Sequence, residues 1–169
     1  MKTPALLLMI VAIVPVLAQT TGTSTLQVAV GTEAKITVNT ATTALTSSMA
    51  FGAYTGTTNF TYSFRTATAN GTGTIQVQIT SDFSPAGGPS VGTPPSPGDT
   101  LAYTCTVGTG TACSGSQTAS ASSQTSVATV GANAHIADAT GSVAWSLTND
   151  PVYQTGTYNA TATFTISAS

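Results

Sequence analysis

Asn59-Phe60-Thr61-Tyr62-Ser63-Phe64-Arg65 and, further along, Thr74-Ile75-Gln76-Val77-Gln78-Ile79-Thr80 decide the fold. In the first, aromatic rings fall on every second residue with polar groups between them; in the second, Ile75, Val77 and Ile79 do the same. Successive side chains of a β-strand point to opposite faces, so both segments predict strands with one face buried and one in water. Between them lies Asn70-Gly71-Thr72-Gly73, rich in turn formers, which predicts that the two strands pair as a β-hairpin.

The same period of two recurs in Leu26, Val28 and Val30, in Leu101, Tyr103, Cys105 and Val107, in Val143, Trp145 and Leu147, and in Tyr158, Ala160, Ala162, Phe164 and Ile166. Weaker strands are predicted near Ala34 to Val38 and Ser126 to Val130. No segment past the N-terminus carries a helical apolar stripe, and the β-branched Thr and Val that dominate favour extended backbone. Seven to nine short strands predict an all-β fold, an antiparallel two-sheet sandwich of immunoglobulin-like architecture, with a barrel or jelly roll as the alternative. Ser84 to Asp99 holds five prolines and four glycines. This segment is expected to bridge two sheets or to protrude as a surface loop. Gly115 to Thr125 reads as a flexible loop or a flat polar edge strand.

The N-terminus reads differently. Lys2, the apolar run Ala5 to Val14 and Pro15-Val16-Leu17-Ala18 before Gln19 form the pattern of a secretory signal peptide, a short helix expected to be cleaved between Ala18 and Gln19. That divides the chain into a signal peptide, 1–18, and one β-sandwich domain, 19–169. The expected location is extracellular, at the cell surface or periplasmic. The apolar run falls short of a bilayer span and no second one follows, so no stable membrane insertion is expected after signal removal.

Charged residues make up only 5% of the chain. Beyond Lys2 they are Lys35, Arg65, Glu33, Asp82, Asp99, Asp138 and Asp150. Two cations cannot neutralise a row of phosphates, which argues against nucleic acid as a partner. With little charge repulsion, copies of the chain associate more easily. Cys105 and Cys113 are the only cysteines, and in an oxidising compartment they are expected to form a disulfide. Gly108 and Gly110 let the intervening chain turn back; the alternatives, a metal site or a redox pair, lack further ligands and the two-residue spacing.

The chemistry of an active site is not legible. The acids are scattered, no Gly-x-Ser-x-Gly elbow or phosphate-binding glycine loop occurs, and neither Asn149-Asp150 nor Asp138 alone forms a calcium loop. His135, the single histidine, lies three residues from Asp138, and an unrecognised enzyme would have to be built there. The expectation is no catalytic residue, no cofactor and no metal. Asn59, Asn70 and Asn159 begin Asn-x-Thr triplets, acceptors only if the source glycosylates exported proteins.

Gly156-Thr157-Tyr158-Asn159-Ala160-Thr161-Ala162-Thr163-Phe164-Thr165-Ile166-Ser167 follows Trp145-Ser146-Leu147 and the turn Asn149-Asp150-Pro151. Over roughly the last quarter of the chain it resembles the closing strand of secreted bacterial β-sandwich proteins of the spore coat protein U-like and fimbrial-subunit type. The resemblance implies a structural subunit assembled by strand addition, in which an extended segment completes a neighbour's sheet; the arm Gln19 to Ser24 is the candidate donor. The leading expectation is therefore a non-enzymatic secreted or surface structural protein whose partner is itself, by strand addition or edge pairing. The alternative is an adhesin-like module that binds surface glycans through Tyr54, Trp145 or Tyr153.

Overall fold

The computed structural model describes residues 22–169. Nine strands follow one another: β1 (Glu33–Val38), β2 (Tyr54–Arg65), β3 (Gly73–Ser84), β4 (Leu101–Val107), β5 (Thr111–Ala112), β6 (Gln117–Thr118), β7 (Thr125–Val130), β8 (His135–Leu147) and β9 (Asn159–Ala168). They form two antiparallel sheets, one in the order β1-β2-β8-β4-β6 and the other in the order β5-β7-β3-β9. The alternating rows meet between the sheets as a sandwich. Phe60, Tyr62, Phe64, Tyr103, Val143, Trp145 and Leu147 come from one side, Ile75, Val77, Ile79, Val127 and Val130 from the other, and all are buried.

Two details show how tightly this core is fitted. Gly141 of β8 lies opposite Phe60 of β2, and a Cβ at Gly141 would stand 2.4 Å from the Phe60 ring, so the ring occupies the space a side chain would need. The Tyr103 hydroxyl crosses from β4 to the other sheet, 2.8 Å from Thr125 Oγ1 and 2.9 Å from the Ser126 carbonyl. Burial pushes that phenol above its ordinary pKa, so it stays protonated and able to donate.

The predicted hairpin does not form. β2 pairs with β1 and β8, whereas β3 pairs with β7 and β9. Residues 66–72 carry the chain from one sheet to the other, so the rows of Phe60 and Ile75 face each other across the core instead of lying side by side. Alternation fixes which face of a strand is apolar but leaves its neighbour open. Thr66 anchors this crossing: its hydroxyl donates to the Gly131 carbonyl at 2.8 Å and accepts the Ala134 amide at 2.9 Å.

The strand predicted at Leu26 to Val30 is also absent. β1 begins at Glu33, paired with Arg65, the last residue of β2, so the chain before it runs past the end of the sheet and, among the described residues, has no strand beside it. The proline- and glycine-rich stretch does join the two sheets, from β3 to β4. Its frame is Asp82, whose carboxylate accepts the amides of Phe83 (2.8 Å), Val91 (2.8 Å) and Gly92 (2.9 Å) and the Ser90 hydroxyl (2.6 Å). Gly115 to Thr125 contributes the two-residue edge strand β6 and then crosses to the second sheet, where the Ile79 amide donates to the Ser120 carbonyl at 3.0 Å.

Cys105 and Cys113 are bonded, with an S–S distance of 2.03 Å. Cys105 belongs to β4 in the five-stranded sheet, and Cys113 follows β5 in the four-stranded sheet, where its amide donates to the Val127 carbonyl at 2.9 Å. A bridge that looks local in sequence therefore joins the two sheets. It closes the flank bordered by β5 and β6. The outward faces carry hydroxyl pairs, Thr74 with Ser167 at 2.8 Å and Thr80 with Thr163 at 2.7 Å, which is where the abundant threonines are used.

Candidate functional site

The opposite flank, bordered by β1 and β9, is built differently. Among the described residues, each of these strands is hydrogen-bonded on one side only, β1 to β2 and β9 to β3. Ala34 and Ile36 of β1 and Phe164 and Ile166 of β9 turn toward the core but are only half-buried. Phe164 reaches the interior through Phe60, ring centroids 5.6 Å apart, and leaves the rest of its surface at this seam.

Leading into β1 is the segment 22–32, exposed throughout. Leu26, Val28 and Val30 are 94%, 82% and 64% exposed. Among the described residues, the backbone of 22–30 makes no hydrogen bond. The segment is fixed at its base, where Arg65 Nε donates to the Gly31 carbonyl at 2.6 Å and Arg65 Nη2 pairs with Glu33. Three apolar side chains at a period of two, on a backbone with free donors and acceptors, are the features of a strand that lacks its sheet. Of the arm Gln19 to Ser24, expected from sequence to be the donor, residues 22–24 are described, and they are exposed and lead directly into this apolar row. Ala18, Gln19 and the whole signal segment lie outside the described residues.

No family model, curated protein or solved structure matches the chain.

The three aromatics considered for stacking on sugars do not form an exposed strip. Trp145 is 5% exposed, its ring against Tyr103 and its Nε1 donating to the buried Thr58 hydroxyl at 2.9 Å. Alternation places Trp145 on the inward face, as it does Val143 and Leu147, so it has no free face for a ligand. Tyr54 is half-buried against the core at the start of β2, and Tyr153 is half-buried with its hydroxyl oxygen out of reach of solvent. His135 lies opposite Arg65 at the start of β8, and Asp138 sits in a bulge with positive φ, its amide donating to the Ser63 hydroxyl at 3.0 Å. Both are exposed, and Asp138 is engaged by Ser63 rather than by the histidine.

At the end of the sandwich where β2 and β4 begin and β8 ends, two turns meet that sequence reasoning had not connected. Ser96-Pro97-Gly98-Asp99 closes with the Asp99 amide on the Ser96 carbonyl at 3.2 Å, Gly98 taking φ 95°. Asp150-Pro151-Val152-Tyr153 closes with the Tyr153 amide on the Asp150 carbonyl at 3.1 Å, while Asp150 Oδ1 accepts the Val152 amide at 2.8 Å. The Ser96 hydroxyl first, then the Val152 amide, hold the Asp150 carboxyl below its ordinary pKa. Burial, followed by the neighbouring Asp99, pushes the Tyr153 phenol well above its own. Nothing local in either stretch announces the meeting, since the residues lie about fifty positions apart.

Proposed function

We propose that the protein is a non-enzymatic, exported structural subunit with an immunoglobulin-like sandwich, and that it self-associates by strand addition. Segment 24–32 of one copy lies along the β1/β9 seam of another and sets Leu26, Val28 and Val30 against Ile36, Phe164 and Ile166. The observation that carries this reading is the exposed apolar row of Leu26, Val28 and Val30 on a backbone without hydrogen-bond partners among the described residues. A single soluble chain has no use for such a row in water, whereas burying three aliphatic side chains contributes roughly 4 to 8 kcal/mol before the cost of ordering the segment. The free edges of β1 and β9 supply main-chain groups for the added strand, and the half-buried residues at the seam supply apolar contact for alternate side chains. The near absence of charge removes the repulsion that would keep copies apart. The signal-like pattern of residues 1–18 supports the export.

Size-exclusion chromatography with light scattering and negative-stain microscopy test this on three proteins. They are the chain from Gln19, the chain from Glu33, and the chain from Gln19 with Leu26, Val28 and Val30 replaced by threonine. Polymers are expected from the first alone. Monomers from all three, or polymers that survive the threonine replacements, would sink strand addition.

A further inference from the structure

Arg65, the last residue of β2, fixes how the N-terminal arm leaves the domain. Its Nε donates to the Gly31 carbonyl at 2.6 Å, and its Nη2 pairs with Glu33, which also lies opposite it in the β1/β2 ladder. Nothing else crowds this link: a Cβ at Gly31 would meet no heavy atom within 4 Å. The backbone of 22–30 makes no hydrogen bond among the described residues. The arm therefore takes its direction from one side chain.

The chain's own β1 edge is a competing acceptor for that arm. Ala34, Ile36 and Val38 lie opposite Phe64, Tyr62 and Phe60, so they occupy the inward face; Ala34 and Ile36 are half-buried and Val38 is 42% exposed. A three-residue hairpin link of Gly31, Thr32 and Glu33 would bring Val30 opposite Ala34, Val28 opposite Ile36 and Leu26 opposite Val38, an apolar pair at each step. A two-residue link of Gly31 and Thr32 would set the same three against Glu33, Lys35 and Thr37 on the outer face, because a slip of one residue turns every side chain over. Folding back thus buries the apolar row only when Gly31 to Glu33 become the turn. Glu33 then gives up its place opposite Arg65, and the Gly31 carbonyl its bond to Nε. A link this short gives an effective concentration on the order of mM, so without a restraint the chain's own edge would be filled before that of a second copy at micromolar concentration.

We propose that Arg65 is the positioning residue that holds the arm open and so selects a second copy of this chain over the chain's own β1 edge. The inference rests on strand addition as the mode of self-association. When the arm passes to another copy, Gly31 to Glu33 stay extended and both contacts of Arg65 persist; when the arm folds back, both are lost. Only such a difference between two states can shift the balance between them. The planar guanidinium, with its fork of donors, holds a carbonyl and a carboxylate at once, which the point charge of a lysine on its flexible stem does less firmly.

The test compares the chain from Gln19 with the same chain carrying Arg65→Met, which keeps an apolar stem and loses the donors, and with Arg65→Lys. Light scattering over a concentration series reads assembly. Hydrogen exchange at the amides of 26–30, in samples diluted below the assembly threshold, reads where the arm lies. The unaltered chain should form polymers and, when dilute, exchange its arm amides freely. Arg65→Met should need roughly 10- to 100-fold more protein to assemble, the loss of a hydrogen bond from a charged group, and its dilute monomers should protect alternate arm amides. Arg65→Lys should fall between the two, and it carries the comparison if Arg65→Met fails to fold. Variants that assemble like the unaltered chain, or whose dilute monomers exchange their arm amides freely, overturn the role of Arg65 and leave strand addition standing. An unaltered chain that stays monomeric at every concentration removes strand addition itself, and the role of Arg65 with it.

Discussion

Replacing both Cys105 and Cys113 by alanine should cost the protein about 2.5 kcal/mol, and the source of that figure is the unfolded chain. The bridge closes a loop with a sequence separation of 8. In the chain-entropy account, a loop of that length removes about 8 cal/mol/K from the unfolded ensemble, which is about 2.5 kcal/mol at 25 °C. Both side chains are only half-buried, so the lost sulfur contacts add less than about 1 kcal/mol. In the folded state the turn between the cysteines keeps a second anchor, because the Thr109 amide donates to the Tyr62 hydroxyl at 3.1 Å. The variant should therefore fold. For a chain of this size the Tm should fall by roughly 5 to 10 °C and the urea midpoint by roughly 1 to 2 M. Equilibrium unfolding in urea with and without a reductant makes the reasoning refutable. The reductant should reproduce most of the loss in the unaltered protein, whose two thiols still fill their places, and should leave the alanine variant unchanged. An unaltered protein that unfolds at the same urea concentration in both conditions would refute it.

Gly141→Ala should destabilise by about 1 to 3 kcal/mol because its Cβ enters the Phe60 ring; in denaturant melts, Phe60→Leu in the same chain should recover part of that loss. Thr58→Val should cost about 1 to 3 kcal/mol by stranding the buried Trp145 N–H. A double-mutant cycle with Trp145→Phe should show that the two losses are not additive. For Asp82, burial pushes the carboxyl up, but the Ser90 hydroxyl and the amides of Val91, Gly92 and Phe83 together hold it below its ordinary value. A lowered folded pKa gives stability that is present above the unfolded value of about 3.9 and is lost as the pH falls through the folded one. Asp82→Asn should therefore melt below the unaltered protein at pH 7 and approach it below about pH 4, as thermal scans across that range will read.

The sequence stated the faces of the strands plainly and their neighbours poorly. Phe60, Tyr62 and Phe64 point inward as their period of two demands, and so do Ile75, Val77 and Ile79. Nothing in that period distinguishes a hairpin from two strands on opposite sheets, and the turn residues at Asn70 and Gly71 serve either. Leu26, Val28 and Val30 have the pattern of a strand without the partner that would make them one, which only the register of β1 against β2 reveals. The disulfide was legible from two cysteines and a glycine-rich turn, but its role between the sheets depends on β4 and β5 separating. Trp145 could be assigned to the core from its alternation with Val143 and Leu147. Asp99 and Asp150 carry no shared signal because their proximity is made by the ends of β4 and β8, far apart in the chain.

The hydroxyl pairs that cover the outer faces have a consequence for the medium in which the protein works. Dissolved ions act on proteins largely by screening charge, and among the described residues there is one ion pair, Arg65 with Glu33. Thr74, Thr80, Thr163 and Ser167 offer ions almost nothing to screen. The fold and the contacts its outer faces make should keep the same strength in dilute water and in brine.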